Sequence, residues 1–298
     1  MSIVVQKYGG TSVGSADRIK NIAKRVIEAK KDNAKIVVVV SAMGKTTNNL
    51  IRLSKEISDQ PSPREYDALI STGENISASL LAMAIQAEGE SAISLTGYQA
   101  GIITENRYSK AKIIDVNTDR LEKELDNGNI VIITGFQGIN EVQDVTTIGR
   151  GGSDTSAVVL AAALNAPVCE IYTDVDGIYT TDPRIVKNAR KIPEMAYDEI
   201  LELATLGAKV LHPRAIECAK HNNIKIHVRS SFNDSHGTIV KEDTNMEINR
   251  NVTGAAVLDE AVITIKGVPD TPGIAGQLFS ELAEESVNID MIVQSADA

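Results

Sequence analysis

The chain contains no tryptophan, three phenylalanines, seven tyrosines and two cysteines in 298 residues. With aromatics this scarce and no basic stripe running between them, a base-stacking surface is not expected. The formal charge of −10, from 30 Lys+Arg against 40 Asp+Glu, argues against nucleic acid or an anionic membrane as partner. Cys169, in an apolar strand-like run, and Cys218, in a helical one, lack both CxxC spacing and a secreted disulfide framework, so both read as core thiols. None of His212, His221, His227 and His236 stands in an HExxH pairing, and no protein metal site is expected. No apolar run approaches the ~20 residues of a membrane span. The amino terminus enters strand-like Ile3-Val4-Val5 without the regions of a signal peptide, so a cytoplasmic protein is expected.

What is present is an alternation of apolar strand-like runs and helical periodicity. Runs near 3–6, 36–40, 92–95, 129–134, 168–172 and 225–228 are continuous more often than alternating, as strands covered on both faces should be. Helices are predicted over 15–31, 48–58, 65–87, 117–127, 153–164, 197–206 and 210–222. The first has Ser15 as N-cap and Ile19, Ile22, Ala23, Val26 and Ile27 on one face. Such a series predicts an α/β fold, a three-layer sandwich with a mainly parallel central sheet and ligands at the carboxyl ends of its strands.

A large first domain is expected over 1–240, a polar linker over 241–251 and a partial second module over 252–298. The last segment reads as one βαβ unit, with strands at 261–266 and 289–294, a turn at Asp270-Thr271-Pro272-Gly273 and a helix over 274–285. One such unit leaves a sheet face bare, so it is expected to pair with another chain or to belong to a longer one.

The segment Gly149-Arg150-Gly151-Gly152-Ser153-Asp154-Thr155-Ser156 lies between an apolar strand and an apolar helix. Glycines there let the backbone approach a ligand, the helix start favours an anion, and Arg150 adds a planar fork for a carboxylate or phosphate. Asp154 in the same turn calls for a cation or amine beside it. Lys7-Tyr8-Gly9-Gly10-Thr11-Ser12, at the end of the first strand, suits an oxyanion cradle with Lys7 as a point charge on a transferring phosphoryl group; an ordinary tight turn with a solvated lysine is the plain alternative.

Gly44-Lys45-Thr46 is not a Walker A loop, because Val39 stands where that motif needs glycine. Ser41-Ala42-Met43-Gly44-Lys45-Thr46-Thr47 nonetheless follows a buried strand, so its hydroxyls can face a ligand. Gly73 costs about 1 kcal/mol relative to alanine inside a helix, repaid either by close helix packing or by a Glu74 carboxylate facing a substrate ammonium. The loop 173–184, with Thr173, Asp174, Asp176, Tyr179, Asp182 and Arg184, can hold ribose hydroxyls, a purine edge and a metal-bound polyphosphate; its spacing does not fit a calcium loop, whose twelfth position from Asp174 is Ile185.

In this order the blocks resemble the aspartokinases of the amino acid kinase superfamily. The likeness also takes in Ser71-Thr72-Gly73-Glu74, Thr134-Gly135-Phe136-Gln137-Gly138 and Gly207-Ala208-Lys209-Val210-Leu211-His212-Pro213-Arg214, with Tyr8 where the family usually has Phe. The tail resembles the start of an ACT regulatory domain, without the second ACT module that usually follows. The resemblance implies transfer of the γ-phosphoryl group of MgATP to the side-chain carboxylate of L-aspartate. By carry-over, Lys7 stabilises the moving charge, Lys209 holds the ATP phosphates and Asp154 orders the cationic groups and the substrate amine. Arg150 grips the α-carboxylate and Glu74 the ammonium, with Ser41, Thr47, Phe136, Gly151 and Ser153 completing the pocket. Lys7, Gly9, Gly10, Thr173, Asp174, Tyr179, Arg184 and Lys209 are assigned to ATP, which carries Mg2+.

Asp270, Gly273, Ala275 and Gln294 match effector-pocket positions for lysine or threonine. With half such a pocket, insensitivity to both effectors, or association through the unpaired sheet edge into a homo-oligomer, is expected. Glutamate 5-kinase, acetylglutamate kinase and uridylate kinase share the fold; the 150–154 block beside Glu74 and the ACT-like tail speak against them. A catalytically inactive ACT-type amino-acid sensor is the other reading, against which stand Lys7, Asp154 and Lys209.

Overall fold

The computed structural model describes residues 2–31, 35–208, 210–242, 254–255, 265, 271 and 273–284. The chain divides into two compact units, Met1–Val257 and Leu258–Ala298. In the first, the elements run β1 (Ile3–Tyr8), α1 (Ala16–Lys31), β2 (Lys35–Val40), α2 (Thr46–Ile57), α3 (Pro63–Ile70), α4 (Thr72–Ala87), β3 (Ala92–Leu95), β4 (Ile102–Thr104), β5 (Ile113–Val116), α5 (Asp119–Asp126) and β6 (Ile130–Thr134). They continue with β7 (Gln137–Ile139), β8 (Val145–Thr147), α6 (Gly152–Ala163), β9 (Val168–Thr173), β10 (Ile178–Tyr179), β11 (Lys191–Ile192), β12 (Glu194–Ala196), α7 (Tyr197–Thr205), α8 (Pro213–Asn222), β13 (Lys225–Ser230) and β14 (Thr238–Lys241). The second unit contains α9 (Ile274–Glu284). The strands expected at 261–266 and 289–294, and nearly all of the linker expected at 241–251, lie outside the described residues.

Eight strands form the main sheet in the order β12-β14-β13-β9-β1-β2-β6-β3. Every neighbouring pair is parallel except β13 with β14. The six strands predicted from continuous apolar runs form most of it, and the reason is visible in β2. Its Val37 and Val39 pack with Leu121, Val158 and Ile216 on one face, while Ile36, Val38 and Val40 pack with Ile22, Leu81 and Ile85 on the other. Side chains alternate between faces, but both faces meet helices, so the run carries no polar alternation. Each such Val or Ile stabilises the fold by roughly 1.5–3 kcal/mol. Helices α1 and α4 form one outer layer and α5, α6 and α8 contribute to the other, giving the three-layer sandwich.

A four-stranded sheet, β5-β4-β7-β8, and a two-stranded pair, β10-β11, were not predicted. The predicted helix 65–87 is two helices. Ser71 stays in the αR region at φ −67° and ψ −17° and caps α3, its N–H donating to the Asp67 carbonyl, before α4 begins at Thr72. Pro63–Ala87 together form 25 residues that contain an 18-residue window of mean hydropathy 1.3, long and apolar enough by length and composition to cross a membrane; half of that window is buried inside the fold, where α4 covers β2, β3 and β6. The last predicted helix starts at Pro213 rather than 210, since proline at the first helical position presets φ.

Candidate active site

Register brings the carboxyl ends of four strands to one edge. Tyr8 pairs with Val40 and with Tyr172, and Val40 pairs with Thr134. From β1 the chain crosses to β2 on one side and later returns as β9 on the other, so a topological switch point opens between β1 and β9, where the loops after the strands diverge. Consecutive residues at the end of β1 point to opposite faces. Tyr8 stacks on Tyr172, ring centroids 4.6 Å apart and planes 8° from parallel. Lys7 points the other way, and its Nζ lies 2.6 Å from Oδ1 of Asp154, with side chains only 11% and 13% exposed. The charges are paired, yet Oδ1 of Asp154 has no aligned hydrogen-bond donor among the described residues.

Glycines press the loops around this pair together. A Cβ on Gly9 would stand 3.5 Å from Nζ of Lys7, and one on Gly10 only 2.8 Å from the Ala42 carbonyl oxygen. Gly44 N–H donates to the Gly10 carbonyl. Ser41 and Thr47 are half-buried on this second loop and the first turn of α2. A Cβ on Gly73 would lie 2.9 Å from Cβ of Ala42, so the glycine in α4 is explained by close packing. That approach lets Oε1 of Glu74 accept the Ala42 N–H at 3.1 Å, while Oε2 is buried with no partner among the described residues. Burial raises the Glu74 carboxyl to about 7, against the smaller lowering effect of that hydrogen bond.

The turn before α6 completes the edge. Gly149 has φ +84° and Gly151, the N-cap, φ +68°, both in the left-handed region. Phe136 adopts φ +69°, and its carbonyl accepts the Ile148 N–H. A Cβ on Gly135 would meet Ser153 at 2.7 Å, so the loop after β6 rests on the first turn of α6. That turn has N–H groups without helical partners, at the positive end of the helix dipole. Arg150 is exposed and makes no hydrogen bond or ion pair with the described residues.

The residues assigned to nucleotide occupy the other flank. Thr173 ends β9 and Asp174 follows it, exposed, accepting from the Thr173 hydroxyl. The Tyr179 hydroxyl donates to Asp176, which Lys191 also approaches at 3.0 Å. Arg184 forms a fork with Asp182 and is 85% exposed, so no described contact joins it to the Lys7 group. Lys209, Asp270 and Gln294 lie outside the described residues. Gly273 (φ +97°) and exposed Ala275 sit at the start of α9.

Sequence reading missed several residues that hold this edge. Ser231 links the loops, donating to the Thr173 carbonyl at 3.0 Å and accepting from Ser12 at 2.9 Å. Asp67, His212 and Arg214 brace the turn before α6. His212 and Arg214 stand in a motif that was singled out, but nothing local says what they touch. His212 has its pKa lowered, chiefly by burial and partly offset by Asp154, and its Nδ1 has no partner among the described residues. Buried side-chain atoms without a hydrogen bond among the described residues thus gather here, in Glu74, Thr134, His212 and the ion-paired Asp154, as around a site built for a polar ligand. Lys7 beside the glycine loops offers positive charge to a phosphate, and Glu74 offers negative charge to an ammonium.

The chain matches the amino acid kinase family over residues 2–230 and the ACT domain over 263–298. It is 54% identical over 297 residues to an aspartokinase of Bacillus sp. (strain MGA3), covering 99% of this chain and 72% of that protein. Among solved structures it is similar to aspartate kinase from Synechocystis, at 42% identity and a TM-score of 0.73, covering 96% of this chain and 48% of that one. It also resembles E. coli aspartokinase III in complex with aspartate and ADP, at 28% identity and a TM-score of 0.75, covering 98% and 76%. The same E. coli enzyme with lysine and aspartate, in a T-state, gives 29% identity, a TM-score of 0.80 and coverages of 98% and 77%.

Proposed function

Because the chain belongs to the amino acid kinase family, we propose from its relatives and its site geometry that it is an aspartate kinase, passing the γ-phosphoryl group of ATP to L-aspartate. This is the first step of the aspartate-derived amino acid pathway. A side-chain oxygen of aspartate forms a bond to the γ-phosphorus, the bond to the bridging oxygen breaks, and the electron pair leaves with ADP. The acceptor carboxylate, with an ordinary pKa near ~3.9, is already ionised at neutral pH, so no general base is needed. Positioning two anions and offsetting the charge on the moving group carry the catalysis.

The ion pair of Lys7 and Asp154 at the end of β1 is the observation that carries this reading. Lys7 neutralises the moving phosphoryl group, Asp154 holds the ammonium of Lys7 in place, and Gly9 and Gly10 keep the backbone close. Arg150 takes the α-carboxylate, Glu74 the ammonium, and Ser41, Thr47, Phe136, Gly151 and Ser153 shape the pocket. Thr173, Asp174, Tyr179, Arg184 and Lys209 serve ATP. Mg2+ binds through one or two carboxylates plus phosphates and keeps its waters. Asp174, exposed just after β9, would be the carboxylate to meet a metal brought by the nucleotide. Such an ion would supply positive charge to offset that of the phosphates.

A cytoplasmic location goes with this reading, as a compartment that supplies MgATP. Residues 263–298 extend the reading to control by an amino acid, with lysine the first candidate because it is bound in the E. coli T-state structure. The test is ADP release that depends on L-aspartate, with the acyl phosphate trapped by hydroxylamine as aspartyl hydroxamate. ADP release without hydroxamate, or with L-glutamate in preference to L-aspartate, would overturn the assignment.

A further inference from the structure

Several contacts converge on the turn 148–151, which carries Arg150 into α6. Arg214, in the first turn of α8, donates from Nη1 to the Ile148 carbonyl at 2.6 Å and from Nη2 to the Ala111 carbonyl at 3.1 Å. His212, the N-cap of α8, fills the space beside Gly151: a Cβ there would lie 2.1 Å from Cγ of His212. From another side, fully buried Asp67 of α3 accepts from both the N–H and the hydroxyl of Thr147, at 2.7 and 2.9 Å, and from both donors of Ser109, at 2.8 and 3.2 Å. The Ser109 carbonyl oxygen would in turn lie 3.0 Å from a Cβ on Gly149.

The backbone on both sides of Arg150 is therefore gripped, by α3 at Thr147 and by α8 at Ile148 and Gly151, while the exposed Arg150 side chain makes no hydrogen bond or ion pair with the described residues. That division suits a binding arginine. Ordering a mobile loop and a long side chain together would cost more entropy than ordering the side chain alone. A fixed backbone also aims the guanidinium fork for a bidentate contact, where small displacements cost much.

We propose that Arg214 and His212 are positioning residues for the amino-acid acceptor, holding the turn 148–151 so that Arg150 meets the acceptor's α-carboxylate. The choice of acceptor rests on the aspartate kinase reading; the clamp does not. The experiment is steady-state kinetics of the full chain, varying L-aspartate at saturating MgATP and MgATP at saturating L-aspartate. Arg214→Gln should raise the aspartate KM at least tenfold with the MgATP KM within twofold of wild type, and Arg214→Lys, which can still reach one carbonyl, should recover part of the loss. Equal rises in both KM values, or no change in either, would overturn the clamp.

If Arg214→Gln does not fold, His212 decides. His212→Ala, which removes the ring that fills the space beside Gly151, should raise the aspartate KM with the MgATP KM within twofold of wild type; an unchanged aspartate KM, or equal rises in both, would refute the proposal. Wild-type protein that fails to turn over L-aspartate would count against the aspartate reading, and the same KM comparison would then be made with the amino acid it does phosphorylate.

Discussion

Nζ of Lys7 and Oδ1 of Asp154, on elements separated by most of the catalytic unit's chain, stand 2.6 Å apart beneath the glycine loops. This pair joins the carboxyl end of β1 to the first turn of α6, so the charge proposed for phosphate is held by the helix proposed to receive the acceptor. Lys7→Ala should lower kcat about a hundredfold or more, close to 2.7 kcal/mol, the scale of losing one electrostatic stabiliser. Calorimetry should still show both substrates binding. A variant with more than half the wild-type kcat would rule out this role.

Arg150 should govern aspartate and leave ATP alone. Arg150→Ala is expected to raise the aspartate KM at least tenfold, roughly 1.4 kcal/mol or more, with the MgATP KM little changed. Arg150→Lys should recover only part, because an ammonium cannot form the two parallel bonds of a guanidinium. Initial-rate titrations of each substrate check this, and a rise confined to the MgATP KM would contradict it.

Glu74 predicts a pH dependence of opposite sign for stability and binding. Its folded-state pKa, about 7, lies above the ordinary 4.5, so the folded protein keeps a proton that the unfolded chain releases between those values. The stability from the neutral carboxyl is full below about 4.5 and is lost as pH rises through 7, amounting to about 3 kcal/mol. Aspartate binding should move the other way, weakening as pH falls below 7, because only the ionised carboxylate pairs with an ammonium. Glu74→Gln should remove the stability slope, gain stability near pH 8 and raise the aspartate KM. Urea unfolding at about pH 5 and pH 8 tests the slope, which should be flat between them in the variant apart from contributions shared with wild type.

Gly73→Ala tests whether packing or propensity decides. In an isolated helix the change would gain about 1 kcal/mol. Here the new Cβ would stand 2.9 Å from Cβ of Ala42, and shifting either backbone would disturb the Ala42 N–H bond to Glu74. Lower thermal stability together with a higher aspartate KM is expected; a stabilised variant with unchanged KM would show that the loop yields freely.

The sequence by itself determined six of the eight strands of the central sheet, all but β12 and β14, because strands such as β2 and β6 meet helices on both faces and so appear as unbroken runs of Val and Ile. It also marked the glycine turns and the charged residues beside them, since close backbone approach restricts residue choice locally. It could not reveal β4, β7 and β8, three residues each, whose pairing depends on partners elsewhere in the chain, nor the break at Ser71, whose helical dihedrals leave little local trace. Only the tertiary structure decided what Asp67, His212, Arg214 and Ser231 do. A buried aspartate in a helix, or an arginine after a proline, has the same local sequence whether it faces water or grips a turn some 66 positions away. Their contacts are made by packing between distant segments, and no periodicity or spacing along the chain records them.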